Sequence, residues 1–281
     1  MTDVVRADTP LDLSLSEAEL EAYREHVTAF LQDQVEAAGA EVAIVGLSGG
    51  IDSTLTVYLA VEALGADRVY GLVMPSEVND PENMSDAERV AEDLGIDYDV
   101  VPVGEVADAV RAVFPGAQAG AEPADDHERT ALGNLRARTR AVISYYAANR
   151  RQGIVVGTGN RSEAAVGYFT KYGDGAVDCH PIAPLYKGQV RQLASHLGVP
   201  EAIVEKPASA ELWADQTDVG ELGMDYPTLD SILALRVHGP LSTAATARQI
   251  RVPEEAVENV VSLHEGSAHK RAAPPGPEPL F

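Results

Sequence analysis

Hydrophobic positions along this chain follow two patterns in turn, a helical spacing of three and four residues and short unbroken apolar runs. Behind Ser16 and Glu19, a capping-box pair, Leu20, Tyr23, Val27, Phe30 and Leu31 recur at helical spacing and predict an amphipathic helix over 16–38. The run Val42-Ala43-Ile44-Val45 has the character of a strand buried on both faces. It passes directly into Gly46-Leu47-Ser48-Gly49-Gly50-Ile51-Asp52-Ser53, after which Leu55, Leu59 and Ala63, with Gly65 as a stop, predict a helix. A second strand is predicted over 69–74, ending at Pro75. Ser85 with Glu88 caps a helix carrying the stripe Ala87, Val90, Ala91 and Leu94, stopped by Gly95, and a third strand follows over 98–103. A long helix over 132–150 leads to the strand 154–156, and further helices are predicted over 187–197 and 253–263. Strand and helix in alternation imply parallel β-α units, hence an α/β fold with an open parallel sheet flanked by helices.

No repeat and no linker divides the sequence, so a single domain over 1–281 is expected. Residues 115–129 lack periodicity and predict an exposed acidic loop. Residues 206–225 are polar, with glycines and a proline near their ends, and predict a mobile lid; 272–281 is a proline-rich tail.

Composition narrows the partners. A 45% hydrophobic content permits an ordinary core, and no stretch approaches the length of a membrane span. The start, Met1-Thr2-Asp3-Val4, lacks the basic and apolar blocks of a leader, and the lone Cys179 cannot build a disulfide framework. A cytoplasmic protein with no membrane partner is expected. The net charge of −23 argues against a nucleic-acid surface and for an acidic, well-solvated one, as in proteins of saline cytoplasm. Of the 21 basic residues only Lys171, Lys187, Lys206 and Lys270 are lysines. A chain so sparing of lysine keeps it where a compact, strongly hydrated ammonium is needed, which marks these four positions before any motif is considered.

The loop 46–53 carries the most specific chemistry. Strand, glycine turn and helix aim backbone N–H groups and a helix N-terminus at one point, which suits a phosphate. A Walker loop would place a lysine there; here Asp52 stands inside the loop, and an acid beside a polyphosphate implies a metal ion between them. In an open parallel sheet, ligands bind where the strand order reverses, at the carboxyl ends of the strands. The segment 157–163 also leaves a predicted strand at that edge, so Asp52 and Glu163 are expected to meet and form a magnesium site.

Ser48-Gly49-Gly50-Ile51-Asp52-Ser53 resembles the signature of the N-type ATP pyrophosphatases, which split ATP into AMP and pyrophosphate. Gly157-Thr158-Gly159-Asn160-Arg161-Ser162-Glu163, Gly167-Tyr168-Phe169-Thr170-Lys171-Tyr172-Gly173-Asp174-Gly175, Asp178 and Pro181-Ile182-Ala183-Pro184-Leu185-Tyr186-Lys187 together resemble the NAD synthetases. So do Lys206-Pro207-Ala208-Ser209-Ala210-Glu211-Leu212-Trp213, Gln216-Thr217-Asp218 and His269-Lys270-Arg271, while Asn134-Leu135-Arg136-Ala137-Arg138 is similar to that family's Asn-x-Gln-Ala-Arg. The resemblance spans about 15–275 and implies a Rossmann-like, adenine nucleotide alpha hydrolase-like fold. The acidic surface adds a halophilic archaeal source to the expectation.

Carried over by position, the resemblance assigns ATP to Gly46, Leu47, Ser48, Gly49, Gly50, Ile51, Asp52, Ser53, Thr158, Lys187 and Ser209. It assigns deamido-NAD+ to Arg138, Lys171, Asp178, His269 and Lys270, Mg2+ to Asp52 and Glu163, and catalysis to Asp52 and Lys187. Arg161 stands where the family usually has lysine and is left out of the site. The implied reaction converts deamido-NAD+ to NAD+, the final step of NAD+ biosynthesis: the nicotinate carboxylate takes AMP from ATP, and ammonia then displaces AMP. The first predicted strand begins at Val42, where glutamine-dependent members carry a large amidase domain ahead, so direct use of ammonia, or of ammonia delivered by a separate protein, is expected. A homodimer is implied as well, with the helix at 16–38 and the C-terminal helix as candidate contact surfaces. Cys179 and His180 lack the third group a thiol nucleophile needs. The competing readings are another enzyme of the ATP-splitting class, either a GMP synthetase-like amidotransferase or a tRNA-thiolating enzyme, and a nucleotide-binding module without turnover.

Overall fold

The computed structural model describes residues 4–76, 78, 80–115, 120, 123–209, 213 and 216–279. In chain order the elements are α1 (Glu17–Ala37), β1 (Val42–Leu47), α2 (Ile51–Leu64), β2 (Val69–Val73), α3 (Pro81–Leu94), β3 (Asp97–Val100), α4 (Gly104–Val113), α5 (Asp126–Arg151) and β4 (Gly153–Val156). They continue with α6 (Arg161–Val166), α7 (Lys187–His196), α8 (Glu201–Val204), α9 (Asp218–Leu222), α10 (Tyr226–Ile232), α11 (Thr243–Ile250) and α12 (Glu254–Gly266).

The four strands are parallel, in the order β3-β2-β1-β4. β1, β2 and β4 are buried on both faces, which explains their unbroken apolar runs, whereas the edge strand β3 is largely exposed. Ala43, Val45 and Leu47 of β1 face a core shared with α1, α2, α3 and α7, whereas Ile44 faces Tyr70, Val103, Ala148 and Val155 on the α5 side. A third cluster, built by α10, α11 and α12 around Leu229, Ile232, Leu233, Ile250 and Val257, packs Ala165 and Val166 of α6 against it. The order reverses between β1 and β4, so their carboxyl ends open a crevice there.

Several boundaries differ from the sequence expectation for identifiable reasons. Helix α3 begins at Pro81, capped by the Asp80 side chain accepting from the Glu82 N–H, because Asp-Pro supplies both an N-cap and a first helical residue ahead of Ser85. Helix α5 begins at Asp126 behind the Asp125 cap, so the last four positions of the expected 115–129 loop are its first turn. Strand β3 ends at Val100 before Pro102, although the Val101 and Val103 N–H groups still donate to Val73 and Pro75 at 2.8 Å. Helices α4, α10 and α11 were not among the sequence expectations, although α4 and α11 are amphipathic. Of the expected lid, residues 210–212, 214 and 215 lie outside the described residues, and α9 occupies part of the remainder. Among the described residues no helix is long and apolar enough to cross a membrane.

Candidate active site

The site begins at the β1–α2 turn. Gly49 adopts φ +75°, and a Cβ there would lie 2.0 Å from the backbone oxygen of Asn83, so only glycine fits. Ser53 Oγ ties the turn together by accepting from the Ser48 N–H at 3.2 Å and donating to the Gly50 carbonyl at 3.0 Å. Gly50 is the N-cap of α2 and brings no capping side chain. The first N–H groups of this buried helix are therefore left to an anion, with the positive end of the helix dipole behind them.

On the far side of the crevice, Asn160 caps α6 and shares a capping box with Glu163; its own side chain is fully buried. Asn160 Nδ2 donates to Asp52 Oδ1 at 2.8 Å, locking the two strand exits together across 108 positions of sequence. Lys187, the first residue of α7, is 2% exposed and sends Nζ to Asp52 Oδ2 at 2.5 Å and Glu163 Oε1 at 3.0 Å. Its backbone is held too: the Lys187 N–H donates to Ser162 Oγ at 2.9 Å, Ser162 Oγ donates to Asp230 Oδ1, and the Gly188 N–H donates to Asp230 Oδ2 at 3.2 Å.

Burial works against the Lys187 charge, but Asp52 and Glu163 outweigh it and hold its pKa above the ordinary lysine range. Burial pushes the Glu163 carboxyl up to about 7, opposed by Lys187 and assisted by the Asp52 charge. The ammonium is thus firmly charged, and Glu163 is the acid that gives way. Two carboxylates facing one ammonium leave a negative excess made of oxygen donors, which fits a hard divalent cation. Among the described residues no three His, Cys, Asp or Glu side chains are grouped to hold a metal unaided. A cation there would draw its remaining oxygens from substrate and water, as magnesium ordinarily does.

These groups line a cavity of about 500 Å³. Gly46, Leu47, Ser48, Gly50, Ile51, Asp52 and Ser53 border it, as do Thr158, Glu163, Lys187, Ser209 and Lys270. Lys206 also reaches it, with Nζ donating to Asn83 Oδ1 at 2.7 Å, to Asp86 and, at 3.5 Å, to the Gly49 carbonyl. Lys206 thereby connects the expected lid to α3 and the phosphate-type turn.

Arg138, Lys171, Asp178 and His269 do not border this cavity. Arg138 donates to the Lys171 carbonyl at 3.2 and 3.3 Å, and Lys171 Nζ donates to the His269 carbonyl at 2.5 Å, forming a separate basic cluster. Asp178 accepts from the Val155 N–H at 2.7 Å and from the Tyr145 hydroxyl at 3.2 Å, fastening its segment beside β4. Cys179 next to it is buried, and burial with Asp178 pushes its thiol up to about 11, the reverse of an activated nucleophile. Arg161 lies over the Tyr186 ring, 4.5 Å from its centroid, and is not among the cavity-lining residues.

Sequence reasoning omitted Asn160, Asp218, Tyr226 and Asp230 as site residues. The Asn-x-x-Glu spacing of a capping box could have singled out Asn160. Asp218 stands in the Gln216-Thr217-Asp218 motif quoted above, which could have singled it out, whereas Tyr226 and Asp230 come from α10, whose pattern names no partner.

The chain matches the family model described as NAD synthase over residues 23–274. It is 56% identical over 269 residues to an NH(3)-dependent NAD(+) synthetase of Halobacterium salinarum, covering 96% of this chain and 97% of the relative. A Methanocaldococcus jannaschii protein of the same description is 44% identical, with 90% and 95% covered. Among solved structures, the NMN synthetase of Francisella tularensis superposes with a TM-score of 0.76 at 32% identity, over 95% of this chain and all of that one. The glutamine-dependent NAD+ synthetase of Acinetobacter baumannii superposes with a TM-score of 0.62 at 27% identity, over 95% of this chain but 48% of that one. With its family model covering most of the sequence and a majority of residues shared with a full-length relative, the chain belongs to the NAD synthase family.

Proposed function

We propose that this chain forms NAD+ from deamido-NAD+, ATP and ammonia. The observation that carries the reading is the meeting of Asp52, Glu163 and Lys187 at the uncapped N-terminus of α2. A carboxylate is a poor acyl donor because its leaving group would be oxide. Its attack on the α-phosphorus of ATP breaks the bond to pyrophosphate and installs AMP as a leaving group, which ammonia then displaces. The α2 N–H groups and Ser53 receive the phosphates, and Lys187 supplies the charge that a Walker lysine would otherwise bring. Asp52 and Glu163 would hold Mg2+, which would supply neutralisation of the phosphate charge and polarisation of the reacting phosphorus. Asn160 keeps Asp52 in place, and the Ser162–Asp230 pair fixes the start of α7 so that Lys187 needs no reorganisation during reaction.

Thr158 and Ser209 contact ATP from the cavity wall. Arg138, Lys171, Asp178, His269 and Lys270 take the deamido-NAD+, those outside the cavity meeting its distal part. Direct use of ammonia is supported by the descriptions of the archaeal relatives. The chain works in the cytoplasm as a homodimer. Its exposed large apolar residues include Val106, Val110, Val113 and Phe114 on and after α4, and Val142 and Tyr146 on α5. Among the described residues none of the large apolar exposures is on α1 and one, Leu263, is on the C-terminal helix α12, so α4 and α5 join α12 as candidate contact surfaces. Sedimentation of the wild-type chain and of Val142→Asp tests this: a dimer that the substitution leaves intact removes the assignment.

The functional test is pyrophosphate and amide formation from ATP, Mg2+ and ammonium with deamido-NAD+, nicotinate mononucleotide or xanthosine monophosphate. The mononucleotide is included because the F. tularensis relative is described as an NMN synthetase. Turnover should be greatest with deamido-NAD+, and preferential turnover of either alternative overturns the substrate assignment. Glutamine in place of ammonium should give no amide.

A further inference from the structure

The proposed reaction consumes ammonia, which at neutral pH arrives mainly as the ammonium ion, so some group must receive a small cation beside the acyl carbon. Most carboxylates near Lys187 are already engaged. Asp52 serves Lys187 and Asn160, Glu163 serves Lys187, and Glu221 accepts from the Tyr168 hydroxyl at 2.5 Å and from Gln216 Nε2 at 2.8 Å. Asp218 is different. It borders the cavity, is 3% exposed, and its Oδ2 accepts from the Tyr226 hydroxyl at 2.6 Å. Its Oδ1 is buried and has no hydrogen-bond partner among the described residues. A buried carboxylate oxygen without a donor is costly and calls for one that is bound in the working state.

The neighbours favour an ammonium ion over a protein donor. The Tyr168 hydroxyl lies close enough to Asp218 to feel its charge, yet its proton is committed to Glu221. The phenol oxygen in turn accepts from Gln216 Nε2 at 3.4 Å, so Tyr168 is engaged with Glu221 and Gln216. The Tyr226 ring already faces one ammonium, with Lys187 Nζ 5.1 Å from its centroid. Three carboxylates, Asp52, Glu163 and Asp218, share this end of the cavity with Lys187. Asp52 and Glu163 are committed to Lys187 and to the Mg2+ proposed above, so Asp218 is the carboxylate left to face a further small cation.

We propose that Asp218 is the ammonium-binding residue, holding the ion through Oδ1 next to the site of acyl transfer; this rests on the ammonia-dependent reading above. The bound ion passes one proton to Asp218. The lone pair so released forms the C–N bond, the bond from the acyl carbon to the AMP oxygen breaks, and the second proton leaves to water with AMP carrying the electron pair away.

The test is Asp218→Asn in the full chain, an isosteric change whose carboxamide oxygen can still accept from Tyr226. Three rates are compared with wild type: pyrophosphate release without ammonium, amide formation against ammonium concentration, and hydroxamate formation from hydroxylamine, which is uncharged at neutral pH. Whatever change the variant makes to pyrophosphate release, the KM for ammonium should rise at least about tenfold more than the KM for hydroxylamine. An unchanged ammonium KM, or equal losses with both nucleophiles, overturns the proposal. The wild-type chain gives a second measurement that no substitution can compromise. Its melting temperature should rise more in ammonium chloride than in tetramethylammonium chloride at equal ionic strength, and equal melting overturns the assignment. Amide formation by the wild type decides the underlying reading separately.

Discussion

Replacing Asp52 by asparagine separates the fold from the chemistry. In the folded chain Asp52 accepts from two donors, Lys187 Nζ at 2.5 Å and Asn160 Nδ2 at 2.8 Å. A carboxamide offers one acceptor and an amino group, so one of these donors would face another donor, at a cost of about 1–2 kcal/mol. Breaking a buried ion pair ordinarily costs more, about 3–5 kcal/mol, because a charge is left alone. Here Lys187 keeps Glu163, and removing the Asp52 charge eliminates one of the influences that push Glu163 up to about 7. Glu163 then ionises more readily and compensates. The net loss should therefore stay near about 1–2 kcal/mol, a fall in Tm of roughly 2–8 °C for a chain of this size. The chemical step loses far more. A metal ligand at the reacting phosphates stabilises the transition state by several kcal/mol, and at 1.36 kcal/mol per decade this is a loss of about 100- to 1,000-fold. The assay is single-turnover pyrophosphate release from ATP, Mg2+ and deamido-NAD+ without ammonium, beside a thermal melt of the same preparation. A rate within twofold of wild type refutes the role of Asp52. A variant that fails to fold refutes the argument that Glu163 compensates.

Three further outcomes follow from other parts of the site. Gly49→Ala combines a positive φ, costing about 1–2 kcal/mol, with a Cβ driven into the Asn83 backbone, so the KM for ATP should rise at least about tenfold; an unchanged KM counts against the turn as the phosphate site. Lys206→Met removes the bonds to Asn83, Asp86 and the Gly49 carbonyl, which should let water reach the adenylate. AMP should then exceed amide, and a one-to-one ratio would dismiss Lys206 as a lid anchor. With 44 acidic against 21 basic residues, the chain should melt higher and turn over faster as KCl rises toward molar concentrations, where screening relieves self-repulsion. A maximum at low salt contradicts a halophilic design.

Much of the layout could be read locally. The β1–α2 turn announces itself because a strand, two adjacent glycines and a helix start are consecutive in sequence, and the missing lysine and inserted aspartate change its chemistry visibly. The scarcity of lysine singled out Lys171, Lys187, Lys206 and Lys270, of which all but Lys171 border the cavity. What was misjudged involved competing local signals: Asp80-Pro81 opens α3 ahead of the Ser85 capping box, and residues 126–129 form a helix turn because Asp125 caps them.

The sequence by itself determined the parallel α/β class, the phosphate-type turn at 46–53 and the likeness to one family, because each depends on neighbours along the chain. Tertiary structure alone decided the charge arrangement. Lys187 lies 135 positions from Asp52, and only the strand order β3-β2-β1-β4 and the docking of α7 bring the ammonium between two carboxylates. Burial, which sequence spacing cannot express, then raises Glu163, while the two carboxylates outweigh burial and keep Lys187 charged. The same holds for Asp218: it becomes notable only once Tyr226 takes one of its oxygens and packing shuts the other away from water. Coulomb forces and desolvation act through space, so residues far apart in sequence acquire their chemistry when the fold sets their distances.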